Sequence, residues 1–247
     1  MSEVLFPRAV QRIRHELKMR PLTVQRIEDL SPSVRRIVFT GAALSDFVSA
    51  SFDDHIKLII EQEGAEPFRR DYTPRAFSRA SCELAIEFVL HGTGLASEWA
   101  SQAQPGQSVV VAGPRGSMVI PTDYDWHLLI GDESALPAIA RRLEELPVGN
   151  RAMVIAQAGN PADQRALASK AEASVQWVSD GQALHAALRG LTLPEGEGYA
   201  WAAGEHAVMT GVRRILIDEK QHSRSAMRVA AYWKQGESNQ HGDIEDN

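Results

Sequence analysis

Cysteine is almost missing from this chain: Cys82 is alone among 247 residues. One thiol excludes an intramolecular disulfide and any cysteine-ligated cluster or zinc site, and its expected role is a small buried side chain. No apolar run approaches the roughly 20 residues that a membrane-spanning helix needs. The start, Met1-Ser2-Glu3-Val4, has no basic segment leading into an apolar core, so no signal peptide is expected. Basic charge is not in excess: 26 Lys and Arg stand against 32 Asp and Glu, a formal net charge of −6. That balance argues against nucleic acid as a partner. Internal repeats are absent. The glycine-rich dinucleotide fingerprint is absent as well, because no glycine follows Gly131 before Gly149. The expectation is a soluble, cytoplasmic protein with neither a membrane nor a nucleic acid as partner.

What is present reads as two domains. The composition, 44% hydrophobic and 23% charged, is that of an ordinary globular protein, and the length suits two units of common size. Residues 7–18 carry Val10, Ile13 and Leu17 at helical spacing, which predicts a short helix. The texture then changes to alternation. Leu22 and Val24, Ile37 and Phe39, Ile56, Leu58 and Ile60, Leu84, Ile86, Phe88 and Leu90, and Val109 to Val111 read as short strands, with the Arg70 stretch as one more. The period slips by one at Ile27. Six strands and one helix at 95–103 predict a small antiparallel β-barrel over residues 1–120. After Pro121 the pattern becomes strand–helix alternation. Strands are expected at 127–130, 151–157, 174–178, 199–203 and 226–233, with helices at 135–146, 162–171, 181–189 and 206–219. This predicts an α/β domain over 121–235 with a parallel sheet and helices on both faces. The polar, acidic tail at 236–247 is expected to be disordered.

The most informative stretch is Arg70-Asp71-Tyr72-Thr73-Pro74-Arg75. Arg70 and Arg75 offer planar charged forks suited to a diphosphate. Tyr72 offers a ring that stacks on another flat ring, and Thr73 a hydroxyl that donates or accepts. In a strand, Arg70 and Tyr72 would share one face, Thr73 and Arg75 the other. Pro74 places the end of the strand, or a sheet edge, at this point. FAD carries a diphosphate, a flat ring system and a ring nitrogen, and would satisfy the whole set. An ordinary edge strand with solvated arginines accounts for the same letters.

Further on, Phe88-Val89-Leu90-His91-Gly92-Thr93-Gly94-Leu95-Ala96-Ser97 reads as a strand, a glycine-rich turn and a helix start. Gly92 and Gly94 permit close backbone approach, and Ser97 with the first helical amides suits a phosphate. His91 is a candidate for a ribityl or phosphate oxygen, and Glu87 and Val89 share its strand face. Asp132-Glu133-Ser134 and Gly204-Glu205 each lie at the carboxyl end of a strand expected to be parallel, where open sheets bind ligands; a helix N-cap explains the first equally well. Trp233 and Lys234 close the last strand.

Together these pieces resemble the siderophore-interacting protein family within the ferredoxin–NADP reductase-like flavoproteins. The resemblance runs from about Val24 to Glu237. It rests on Arg70-x-Tyr72-Thr73-x-Arg75, Phe88-Val89-Leu90-His91-Gly92, Ala96-Ser97-x-Trp99-Ala100, Gly113-Pro114-Arg115-Gly116, Gly131 to Ala138, Trp201-x-Ala203-Gly204-Glu205 and Tyr232-Trp233-Lys234-x-Gly236. It implies an FAD-binding barrel, a pyridine-nucleotide-binding α/β domain and reduction of ferric siderophores by NADH or NADPH, or by a protein electron donor. It also implies that Arg70 takes the diphosphate, Tyr72 the isoalloxazine face and Thr73 the flavin N5 region, with His91, Ala96 and Ser97 completing the phosphate and ribityl contacts. No side-chain acid, base or nucleophile is required, since the cofactor carries the chemistry. Lys57, Arg115 and Lys234 are expected to converge beside the flavin as a cationic site for an anionic ferric siderophore. Two other readings fit the same residues: a general flavin or quinone reductase, and a flavin-containing carrier that binds siderophore or passes electrons without turnover.

Overall fold

The structure is a computed structural model that describes residues 8–62, 64–90, 94–236 and 242–244. In the first half, strands β1 (Gln11–Arg14), β2 (Met19–Ser31), β3 (Val34–Thr40), β4 (Ile56–Gln62), β5 (Ala65–Tyr72), β6 (Ala76–Ser78), β7 (Glu83–Val89), β8 (Ser108–Ala112) and β9 (Gly116–Val119) surround one helix, α1 (Leu95–Gln102). Seven of them form an antiparallel sheet in the order β5-β4-β8-β2-β3-β7-β6. Although β5 and β7 lie near opposite ends of that order, the rings of Tyr72 and Phe88 meet at 4.5 Å. The sheet therefore curls on itself as the expected barrel, closing over Ile37, Phe39, Leu58, Leu84, Ile86 and Phe88. The slipped period at Ile27 is a bulge: the β2–β3 register shifts between Val24 and Arg26.

Several expectations for this half need correction. Within 7–18 the described residues form no helix. Gln11–Arg14 pairs antiparallel with β9 as a two-stranded sheet, and all four of its residues are exposed. Val10, Ile13 and Leu17 gave a helical spacing, but the partner strand β9 supplies backbone bonds that a helix would have made internally. β4 and β5 pair antiparallel, and their ladder runs out to Gln62 and Ala65. Cys82 is only half-buried and sits at φ 51° in the turn before β7, so it is no core side chain.

The second half has β10 (Trp126–Gly131), α2 (Leu136–Glu145), β11 (Arg151–Gln157), β12 (Glu172–Val178), α3 (Gly181–Gly190), β13 (Gly198–Glu205), α4 (His206–Arg214), β14 (Met227–Trp233) and β15 (Gly242–Asp243). The order is β12-β11-β10-β13-β14-β15, with the first five parallel and β15 antiparallel. Each residue of β10 is buried, as befits a central parallel strand covered on both faces. α2 packs on one face with Leu129 and Trp201, and α3 and α4 on the other with Leu128, Ile130 and Ala202. The helix expected at 162–171 is only the short turn Pro161–Asp163. Without a crossover helix beside it, β12 is exposed along its first five residues. The tail is partly ordered, since Gly242 and Asp243 pair with Ala231 and Ala230. Among the described residues no helix is long and apolar enough to cross a membrane.

The two sheets are joined by polar side chains out of water. Arg141 of α2 donates to Ser49 Oγ (2.8 Å), Ser49 O (3.0 Å) and Pro74 O (3.1 Å). Arg142 donates to Pro121 O at 2.6 Å and lies over the Phe52 ring. Asp53, on the barrel side, accepts from Trp201 Nε1 at 2.9 Å and pairs with Arg228. These contacts fix how the carboxyl ends of the parallel strands face the end of β5.

Burial carries a pH consequence at His127. This side chain on β10 is 1% exposed and contacts only Thr122 O, at 3.3 Å, among its hydrogen-bond partners. Burial, with Arg142 nearby, pushes its pKa down to about 4 from 6.5. The unfolded chain therefore binds a proton that the folded chain refuses. Stability is full above pH 6.5 and falls as pH drops toward 4, by up to about 3 kcal/mol from this group. Thermal unfolding between pH 7.5 and 4.5 should show that loss, and His127→Gln should flatten it. A pH slope unchanged in the variant would remove His127 as its source.

Candidate functional site

The end of β5 carries the expected cluster. β5 stops at Tyr72, and Thr73, Pro74 and Arg75 leave the ladder before β6. The Arg70 guanidinium lies over the Phe68 ring, 4.5 Å from its centroid. Tyr72 packs half-buried against Phe88, and burial pushes its phenol pKa up. Thr73 is 7% exposed. The alternating faces expected for Thr73 and Arg75 do not arise, because the strand has already ended.

Arg75 is placed differently from the expectation of a diphosphate ligand. Its guanidinium donates to Glu144 of α2 at 2.9 Å and lies 3.5 Å from Glu87. Glu87 likewise does not sit open to a ligand. It is 4% exposed and takes Arg36 at 2.7 Å together with Arg165, which follows β11. One face of β7 fills the barrel and the other meets the second sheet, so Glu87 is held at the junction by three guanidinium groups. Val89 ends β7 half-buried opposite Val34. His91 lies outside the described residues.

Gly94, at φ 91°, opens α1, and among the described residues no side chain caps that helix. A helix N-terminus favours anions, and Leu95 and Ala96 supply the first amides here. Ser97 is buried, Ala96 packs on the barrel core, and Leu95 is 47% exposed.

The carboxyl edge of the parallel sheet is tied together by Asp132. Buried to 4% exposure, its carboxylate accepts from Ser134 N (2.9 Å), Ser134 Oγ, Glu205 N (2.9 Å) and Trp233 Nε1 (2.8 Å). Burial raises its pKa against the pull of these donors. Gly204 is required beside it, since a Cβ there would come within 2.6 Å of Asp132 Oδ2. Glu133 accepts from Gly159 N at 2.7 Å. The Glu205 carboxylate caps α4 at Ala207 N and Val208 N, and Asp180 caps α3 at Ala183 N. Trp233 is no core residue: its indole N–H is anchored and its ring stays 43% exposed.

The three expected cations do not share one cleft. Lys57 pairs with Asp71 across the β4–β5 hairpin at 2.7 Å. Arg115 lines a cavity of about 350 Å³ with Arg12 and Arg14 of β1, His55, Ser117 and Arg228. Neither Lys57 nor Lys234 lines it. Arg12, Arg14 and Arg115 form no side-chain ion pair among the described residues. Sequence reading passed over Arg12 and Arg14 because it took their segment for a helix; the alternation Arg12, Ile13, Arg14 was the available signal. Arg165 carried no signal, since its partner Glu87 is remote in sequence.

Comparison with known proteins decides the family. Residues 23–68 and 61–118 match the siderophore-interacting FAD-binding domain, and residues 124–236 match the siderophore-interacting protein family. The NADPH-dependent ferric-chelate reductase of Escherichia coli strain K12 is 39% identical, covering 92% of this chain and 97% of that protein. The chain belongs to the siderophore-interacting protein family. The ferric vibriobactin reductase of Vibrio cholerae is 28% identical over 85% of this chain and 87% of its own length. Among solved structures, a siderophore utilization protein from T. fusca superimposes with a TM-score of 0.87 at 29% identity, covering 94% of this chain and 98% of that one. The siderophore-interacting protein SipS from Aeromonas hydrophila does so with 0.81 at 30% identity, covering 92% and 94%. The family's FAD suits the residues present: an uncapped α1 N-terminus for phosphate, an arginine and a tyrosine at the end of β5, and two exposed apolar side chains, Leu95 and Trp233, for a flat ring to cover.

The junction gives a stability prediction. Glu87→Ala would leave Arg36, Arg75 and Arg165 crowded without their shared counter-charge, costing about 3 kcal/mol. Denaturant unfolding should show this loss, while Arg165→Ala, which removes one of three partners, should cost less. Equal stability of Glu87→Ala and the wild type would contradict the assignment.

Proposed function

We propose that this family member is a cytoplasmic flavoprotein that reduces ferric siderophores, drawing electrons from NADH or NADPH through FAD. The observation that carries the reading is the end of β5 held between α1 of the barrel and α2 of the parallel-sheet half, in a chain 39% identical to a ferric-chelate reductase. When bound, FAD accepts a hydride and returns single electrons, which matches a two-electron donor to a one-electron acceptor. Ferric iron is held by hard anionic oxygens, and one added electron loosens that hold.

The side chains supply binding and position. Arg70 would neutralise the diphosphate, the α1 amides with Gly94 and Ser97 would receive phosphate oxygens, and Tyr72 and Thr73 would hold the isoalloxazine. Val89, Leu95 and Ala96 would line the path between them. The electron donor meets the other wall, formed by Asp132, Glu133, Ser134, Gly204, Glu205 and Trp233. That wall is acidic, and α3 and α4 already carry internal caps, so it offers a dinucleotide no free amides at those two helices. NADH, NADPH and a protein donor are therefore compared directly in the assay.

An anionic ferric siderophore has to approach a protein of net charge −6. The cavity around Arg12, Arg14 and Arg115 sets four guanidinium groups, counting Arg228, against the carboxylates of Asp53, Asp54 and Asp243, and offers an anion a small local excess of positive charge. Lys57 and Lys234 play a lesser part, since neither lines it.

Turnover with a ferric siderophore, against quinone and ferricyanide, separates this reading from a general quinone reductase and from a non-catalytic carrier. Preference for quinone, or no turnover with any donor, would overturn it. Purified protein should carry one FAD per chain, and Arg70→Ala should weaken FAD binding by the worth of a charge-assisted bond, about 1.5–3 kcal/mol; unchanged affinity would remove Arg70 from the diphosphate. Arg14→Ala and Arg115→Ala should raise KM for an anionic ferric siderophore with FAD content full, and added salt should weaken the wild-type reaction. Indifference to both variants and to salt would rule out the cavity.

A further inference from the structure

The parallel sheet ends in a strand whose outer edge is open. β12 is outermost in the strand order, and its ladder with β11 runs unbroken from Glu172 to Val178. Glu172 N donates to Asn150 O at 2.8 Å, and Val178 O accepts from Ala158 N at 2.9 Å. Backbone groups alternate in direction along a strand. Glu172, Ser174, Gln176 and Val178 therefore bond inward to β11, while Ala173, Val175 and Trp177 aim their N–H and C=O groups outward. Among the described residues nothing bonds those outward groups.

The other edges of the two large sheets are guarded in the ways that keep strands from joining. β5 carries Pro67 and the charges of Arg69 and Asp71, β6 is three residues long, and β15 is two. β12 has neither proline nor bulge, and its one charge, Glu172, stands at its first residue. At its centre Val175 is 37% exposed. Beside it, on the face that carries α3, runs a groove of about 630 Å³ between Gln176 and Val178 of β12 and Ala183, Ala186, Ala187 and Gly190 of α3. Side chains this small let another chain come close.

We propose that β12 is the interface with a second copy of this chain, paired antiparallel about a twofold axis at Val175, so that two parallel sheets join into one. In that register Val175 faces Val175 of the second copy and Ala173 faces Trp177. Each of the three then donates and accepts one backbone bond. Their side chains share a face with Ala152, Val154 and Ala156 of β11, which belong to the core under α2, and every cross-strand pair on that face is apolar. On the α3 face Ser174 meets Gln176 and Glu172 meets Val178, so no like charges stand opposite one another. The charges that flank the strand are of opposite sign, Lys170 before it and Asp180 after it, and both are exposed. Antiparallel pairing sets the lysine of each copy toward the aspartate of the other. The strand is thus complementary to itself, as a closed twofold contact requires. The α3 helices of the two copies flank the seam on one face, with their small side chains toward it.

The test is the molar mass of the purified full chain by light scattering over a rising concentration series. It compares the wild type, Val175→Lys, Val175→Glu and an equal mixture of the two variants, with FAD content and Tm recorded for each. The wild type should rise from the mass of one chain toward twice that mass. Each variant alone should stay at one chain, since like charges would stand opposite at the axis, and the mixture should recover the doubled mass. FAD content should match the wild type in all of them. A wild type that stays single at every concentration overturns the proposal. So does a doubled mass that survives in Val175→Lys, which would place the contact on another face, and so does growth beyond two chains, which would show an open contact. Failure of the mixture to associate overturns the axis at Val175 and the proposal with it. Should the variants fold poorly, amide hydrogen exchange of the wild type decides. Exchange at Ala173, Val175 and Trp177 should slow as concentration rises, and rates indifferent to concentration overturn the proposal.

Discussion

A carboxylate removed from water is costly unless donors surround it, and the junction between the two sheets is built on carboxylates that meet this condition. Asp53 is held by Trp201 and Arg228, Glu87 by Arg36, Arg75 and Arg165, and Asp163 by Ser31 Oγ (2.6 Å) and Ser33 N (3.0 Å). Each takes donors from the other half of the chain. Removal of one partner leaves a charge or an N–H group stranded, so the relative placement of the sheets is specified far more sharply than apolar contact alone would do. Asp132 performs the same service inside the second sheet, joining the ends of β10, β13 and β14 into one wall.

That constraint gives the site its shape. The barrel contributes a flat aromatic, an arginine and an uncapped helix start; the parallel sheet contributes an acidic wall with one exposed indole. The helix N-termini are used unequally. Among the described residues α1 and α2 have no side-chain cap, whereas α3 and α4 are closed by Asp180 and Glu205.

Much of the fold was legible because burial in strands is periodic. Leu84, Ile86 and Phe88 announce β7, and the slip at Ile27 announces a bulge that the register shows. The segments that misled are those in which tertiary pairing overrode local pattern. β1 exists because β9 lies beside it, and 162–171 forms no helix beyond the short turn Pro161–Asp163. In the site, Arg70, Tyr72, Thr73 and the α1 start were readable from their own spacing. Arg75 and Glu87 carry the same letters as ligand contacts but are claimed by Glu144 and by arginines remote in sequence. Arg12, Arg14 and Arg165 were invisible for the same reason: their places are set by neighbours that only the folded chain supplies.

The central claim is that electrons cross a flavin held between these two walls and leave to a ferric chelate. Its most direct measurement is anaerobic stopped-flow absorbance of the FAD-loaded protein in two mixes. NADH or NADPH in the first should bleach the flavin band, and an anionic ferric siderophore in the second should restore it while ferrous iron appears in proportion. A flavin that is reduced, chemically or by nucleotide, and then stays bleached in the presence of the ferric siderophore would contradict the account.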